Sequence, residues 1–278
     1  MDLLQAVVLG VIQGLTEFLP VSSSGHLVIA QHLFGLREPE ILFDVGVHLG
    51  TLVAVLLYFR GEIGDILAAV VRCGGKLFNV SAMRAAMGRD ADLKMAWLIV
   101  IGSVPTAVIG LLMQRVADRL FGSMLLAGCM LLVTGVLLFL TRFVSAPGST
   151  DGAEPLFSSP KALIIGTVQG LAILPGISRS GSTIAAALFL GLNRDVAARY
   201  SFLLSISAIL GAALLTLKED VTAQTASQLP VLLAGALTSC VVGYLSLKFL
   251  VYIVSRGSLH LFAPYAWIMG TLAVIIGW

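Results

Sequence analysis

Charge is what this sequence has least of. Only 12% of its 278 residues are Asp, Glu, Lys or Arg, about half the share found in water-soluble globular domains. That scarcity excludes an ordinary soluble domain, and no basic tract is present that would point to nucleic acid. Cysteine is also scarce. Cys73, Cys129 and Cys240 are scattered, odd in number and without metal-ligand spacing, so they read as small apolar packers rather than a disulfide or metal framework. The N-terminal apolar run lacks a basic leader. It opens Met1-Asp2-Leu3-Leu4 and leads into Glu17, Pro20 and His26, not into a small-residue cleavage site, so it does not read as a signal peptide.

What the chain has in abundance is apolar surface: 58% hydrophobic residues and a mean hydropathy of +1.00. Six stretches, 43–59, 95–113, 123–141, 201–217, 231–250 and 261–278, are long enough to cross a bilayer as helices. Two more, 4–36 and 161–192, are apolar but interrupted, at Pro20-Val21-Ser22-Ser23-Ser24-Gly25 and at Pro175-Gly176-Ile177-Ser178-Arg179-Ser180-Gly181. Proline removes a backbone donor and glycine loosens the chain, so each segment reads as two half-helices joined by a polar turn. Irregular backbone at membrane depth survives only inside protein or beside a wet cavity.

The broken segments resemble each other. Gly10-Val11-Ile12-Gln13-Gly14-Leu15 matches Gly166-Thr167-Val168-Gln169-Gly170-Leu171, and Ser22, Ser24, Gly25, Gly35 and Leu36 match Ser178, Ser180, Gly181, Gly191 and Leu192. The chain therefore reads as a duplication: repeat 1 over 1–141, a linker at 142–160 and repeat 2 over 161–278. Three full spans follow each broken segment, and an odd number of crossings turns the second copy upside down. The expected fold is all-α and polytopic, an inverted-topology repeat whose halves each hold a re-entrant helical hairpin and three transmembrane helices. Charge placement agrees. Arg60, Arg72, Lys76, Arg84, Arg89 and Lys94 in the loop 60–94, with Arg142, Lys161, Arg194, Arg199, Lys248 and Arg256, fall on one side, against Arg37, Arg115, Arg119 and Lys218 on the other. The first side is then cytoplasmic and both termini are outside.

Charged residues within apolar segments are the informative ones, because each costs roughly 2.5–3.5 kcal/mol to insert at mid-bilayer. Glu17, His26, Asp44, His48 and Arg179 are of this kind. If the repeats face each other, Arg179 comes close to Glu17, His26 and the serines. That set suits an anion such as phosphate: half-helices starting after each turn offer N–H groups, and Arg179 can clamp two oxygens. Ser22, Ser23 and Ser24 supply hydroxyls as donors or nucleophile, with Glu17 or His26 to move a proton. Plainer readings stand beside these. A membrane serine often just caps a helix, Glu17 and Arg179 could be a structural ion pair, and Asp44 with His48, one turn apart, is weak as a metal pair. Tyr58, Trp97, Tyr265 and Trp278 read as interface anchors.

Two stretches are recognisable. Gln13-Gly14-Leu15-Thr16-Glu17-Phe18-Leu19-Pro20-Val21-Ser22-Ser23-Ser24-Gly25-His26 resembles the first signature of the undecaprenyl-diphosphate phosphatases, the bacitracin-resistance membrane family. Leu174-Pro175-Gly176-Ile177-Ser178-Arg179-Ser180-Gly181-Ser182-Thr183 resembles their second. The resemblance implies hydrolysis of undecaprenyl diphosphate to the monophosphate carrier lipid, on the outer face of the bacterial inner membrane, with magnesium or calcium. It implies Glu17 as metal ligand or acid/base, Ser23 as nucleophile or phosphate donor, His26 as proton carrier and Arg179 as charge clamp. Gln13, Ser22, Ser24, Ser178, Ser180 and Thr183 become substrate contacts. The family has Glu or Gln at the position of Gln13, so here one motif carboxylate, Glu17, remains. The partners implied are the polyprenyl diphosphate and membrane lipids; a homodimer stays open. Inverted repeats with broken helices also suit a lipid-phosphate flippase or secondary transporter, which is the alternative reading.

Overall fold

The computed structural model describes residues 1–36, 41–76, 80–113, 120, 123–144, 157–216 and 225–277. Those residues form twelve α-helices and no strand: α1 Leu3–Phe18, α2 Ser23–Leu33, α3 Ile41–Tyr58, α4 Arg60–Cys73, α5 Val80–Met87, α6 Ala91–Met113, α7 Met124–Leu140, α8 Ser159–Leu171, α9 Arg179–Phe189, α10 Arg194–Thr216, α11 Thr225–Ser255 and α12 Ala263–Gly277. Five helical stretches, around α6, α7, α10, α11 and α12, are long and apolar enough to cross a membrane. A sixth candidate is α3 with α4, which bend by 77° at Phe59. The chain is thus an all-α, multi-pass membrane protein. The outer surface fits that medium. On α11, Leu229, Leu233, Leu237, Val241, Leu245 and Phe249 are exposed at every fourth residue, a stripe that water would penalise and lipid accepts.

Small and hydroxylated residues mark the closest helix contacts, as expected where lipid gives no hydrophobic drive between helices. α1 lies against α11, which also packs along α3; α6 packs on α8, and α7 on α12. Gly10 and Gly14 allow the first of these contacts. A Cβ on Gly10 would meet the Gly235 carbonyl oxygen at 2.7 Å, and one on Gly14 the Gly243 nitrogen at 2.8 Å. Serine and threonine hydroxyls bridge the helices: Ser239 Oγ donates to the Val47 carbonyl at 2.8 Å and Thr106 Oγ1 to the Gly166 carbonyl at 2.8 Å. Phe18, fully buried at the end of α1, meets the Phe202 ring edge-on with centroids 5.8 Å apart. That contact fixes the residue next to Glu17.

The structure departs from the sequence reading in the basic connection 60–94, expected as a loop. It is largely helical, α4 and α5. Ile63, Ile66, Ala69 and Cys73 recur at helical spacing among the charges, and Ala69 and Cys73 are buried against Leu93. Amphipathic periodicity outweighs charge there. Most of the linker, residues 145–156, lies outside the described residues, as do Arg37, Arg115, Arg119, Lys218 and Trp278.

Candidate active site

Both interrupted segments fold as two helices about a polar turn. α1 stops at Phe18, where Pro20 closes the helix, and α2 starts at Ser23. Ser22 caps α2 with φ 68° and ψ 102°. It is the one non-glycine residue with positive φ among those described, a conformation costing of order 1–3 kcal/mol and concentrated at functional sites. The strained residue is held by what its oxygens do. Ser22 Oγ accepts from the Gly25 N–H at 3.4 Å and, across the molecule, from the Gly176 N–H at 3.1 Å; its carbonyl accepts from His26 Nδ1 at 2.8 Å.

The second turn, 172–178, precedes α9. Ser178 caps that helix, its Oγ accepting from the Gly181 N–H at 3.1 Å. Gly176 has φ +94°, and a Cβ there would lie 2.8 Å from the Met130 Cβ, so glycine is required twice over. Thr134 of α7 braces the turn: its Oγ1 donates to the Gly176 carbonyl at 2.9 Å and accepts from the Ser178 N–H at 3.0 Å. Ser180 Oγ donates to the Phe18 carbonyl at 2.8 Å. The start of α9 is thereby pinned to the end of α1.

Between the turns lies Glu17, its side chain 5% exposed. One carboxylate oxygen, Oε1, pairs with Arg179. The other, Oε2, accepts from Ser23 Oγ at 2.6 Å and from Gln13 Nε2 at 3.0 Å, and His48 Nε2 lies 3.6 Å away. Arg179 is mostly buried too, and its Nη1 and the Gln13 Oε1 have no hydrogen-bond partner among the described residues. The unpaired guanidinium nitrogen is a donor that Glu17 does not take, of a kind that would suit an anion.

Glu17, Ser22, Ser23, Ser24, Arg179 and Gln13 are therefore brought together, with Ser24 Oγ 3.3 Å from Ser22 Oγ. His26 is adjacent, but its ring makes no hydrogen bond to Ser23. Nδ1 is bonded to Ser22, and Nε2 lies 2.8 Å from the Tyr265 hydroxyl. The partner of the Ser23 hydroxyl is Glu17. Ser178, Ser180 and Thr183, expected as substrate contacts, are buried, and their hydroxyls engage protein atoms; Thr183 Oγ1 donates to the Arg179 carbonyl at 2.8 Å. Two further neighbours stand out. His48, which the sequence offers only as half of a weak pair with Asp44, lies against Glu17. Tyr265 reads as an interface anchor, and nothing in sequence links it to His26.

Comparison with known proteins gives the family. The model of the family described as bacitracin resistance protein BacA matches residues 6–272. A protein from Desulfosudis oleivorans named undecaprenyl-diphosphatase is 54% identical over 278 residues, covering 100% of this chain and 99% of its own. Proteins of the same name from Desulforapulum autotrophicum and Methanosphaera stadtmanae are 50% and 42% identical, over 100% and 99% of this chain and 99% and 98% of theirs. With the match spanning both turns and nearly every helix, the chain belongs to the bacitracin resistance protein BacA family.

Proposed function

We propose that this protein is an undecaprenyl-diphosphate phosphatase whose single active site is the Glu17–Ser23–Arg179 cluster. Its relatives carry that name over their full length. The observation that carries the mechanism is the 2.6 Å bond from Ser23 Oγ to Glu17 Oε2 beside Arg179: a nucleophile already bonded to its base, with a cation at hand for the phosphoryl oxygens. Ser23 attacks the terminal phosphorus and its proton passes to Glu17. The phosphoanhydride bond breaks and undecaprenyl phosphate departs. Water then attacks the phosphoserine, releasing inorganic phosphate and restoring the hydroxyl. His26, its Nδ1–H tied to Ser22, is the final acceptor, at Nε2, of a proton from that water. Arg179, through the nitrogen that has no protein partner, neutralises charge throughout. The isoprenoid tail leaves sideways between helices into the bilayer.

A magnesium or calcium ion fits in a limited way. No group of three or more His, Cys, Asp or Glu side chains gathers among the described residues. Glu17 and the unpaired Gln13 Oε1 are the oxygen donors at hand, and a hard cation would draw the rest from water and the diphosphate itself. Such an ion would supply charge neutralisation on the leaving phosphate.

The inverted repeat belongs to the same proposal. Exchanging the halves carries α1 against α11 onto α8 against α6, and α7 against α12 onto itself; the packing of α11 along α3 has a thinner counterpart in α6 against α10. The bias of basic residues supports an inner-membrane orientation with the site open to the outer side. In detergent with undecaprenyl diphosphate and magnesium, the purified protein is expected to release one inorganic phosphate per lipid. No release with any divalent metal, together with lipid movement across proteoliposomes, would favour the flippase reading.

A further inference from the structure

His26 is held at both ring nitrogens by different kinds of partner. Nδ1 faces the Ser22 carbonyl at 2.8 Å, which can only accept, so Nδ1 keeps its proton in every state of the ring. All proton exchange then falls to Nε2. That atom faces the Tyr265 hydroxyl at 2.8 Å, and a phenol can donate to a bare nitrogen or accept from a protonated one. The Tyr265 bond thus survives whichever way the proton moves. The rings lie parallel, 8° apart with centroids 5.7 Å apart, so the phenol also fixes the imidazole plane.

Tyr265 is well placed to be rigid. It sits in the first turn of α12, next to Pro264, whose fixed φ favours a helix start. Ala263 just before it is fully buried, and α12 packs along α7, the helix that braces the second turn through Thr134. Tyr265 as a whole is 43% exposed.

We propose that Tyr265 relays the proton between the attacking water and His26 in the phosphatase reaction. Its hydroxyl takes a proton from the water as it gives its own to Nε2, and its ring holds the imidazole in the plane this transfer needs. This rests on the proton-carrying role given to His26 above. It also makes His26 a residue shared between the halves, as the Glu17–Arg179 pair is: the ring comes from α2, its partner from α12.

The test uses the full-length protein in detergent with undecaprenyl diphosphate. Tyr265→Phe keeps the ring stack and removes one hydroxyl. Its kcat is expected to fall about tenfold with KM changed less than about twofold. On a His26→Ala background the same substitution should have no further effect. Independently of turnover, the 15N resonance of His26 Nε2 should shift in Tyr265→Phe. Wild-type kcat in Tyr265→Phe, an equal loss on both backgrounds, or an unmoved 15N resonance would each overturn the proposal. A wild-type protein that releases no phosphate would instead overturn the phosphatase reading, and the 15N experiment would still decide the Tyr265 contact.

Discussion

Gln13 and Glu17 lie one turn apart on α1, both buried and hydrogen-bonded to each other, yet their replacement by alanine should have very different consequences. Gln13 gives Glu17 one bond, from Nε2 at 3.0 Å. A hydrogen bond to a charged partner contributes about 1.5–3 kcal/mol, of which only the share felt in the transition state slows the reaction. Glu17 still keeps Arg179 and Ser23, so Gln13→Ala should lower kcat by roughly tenfold. Glu17→Ala removes the acceptor of the nucleophile and the counter-charge of a largely buried Arg179 together. Breaking a buried pair costs about 3–5 kcal/mol in stability, and loss of the proton acceptor alone is worth roughly 10²–10⁴ in rate. Steady-state phosphate release by the two purified variants, with thermal midpoints measured in the same detergent, makes the comparison. Equal losses of activity would refute this division of labour, as would a Glu17→Ala protein as thermally stable as wild type.

Other consequences follow from single contacts. Arg179→Lys keeps the charge but not the planar fork, and should hold the fold while losing roughly 10² in kcat; a lysine variant within a factor of about three of wild type would show that charge alone suffices. Ser22→Ala leaves the Gly25 and Gly176 N–H groups without their acceptor, and each orphaned buried donor costs about 1–3 kcal/mol. Its thermal midpoint in detergent should drop clearly, and an unchanged midpoint would deny that Ser22 ties the two turns. Gly14→Val forces a side chain against the Gly243 backbone, separating α1 from α11; wild-type activity and stability there would contradict the close contact.

Much of this fold can be read from residue order because lipid simplifies the rules. Long apolar runs must be helices, and Pro20 and Pro175-Gly176 mark where two of them break. Glu17 and Arg179 stand out in the sequence as candidates because a charge in an apolar run needs a reason, and the fold pairs them. The features that escaped depend on tertiary distance. Ser180 and Thr183 share the signature of Arg179, but their hydroxyls bond the Phe18 and Arg179 carbonyls; sequence cannot tell a hydroxyl facing a ligand from one facing backbone. Tyr265 lies 239 residues from His26 and looks like any aromatic near the end of a span. The bend at Phe59 has no proline to announce it, and the helix beyond it is masked by the charges that suggest a loop.

The central claim is that one catalytic unit is assembled from Glu17 in the first broken segment and Arg179 in the second. The most direct measurement is phosphate release from undecaprenyl diphosphate by wild type, Glu17→Gln, Arg179→Ala and the double variant. If the two side chains act as one unit, each single variant loses at least about 10² in kcat/KM and the double variant falls no further than the worse single. Losses that multiply in the double variant, or a single variant with wild-type kcat/KM, would contradict it.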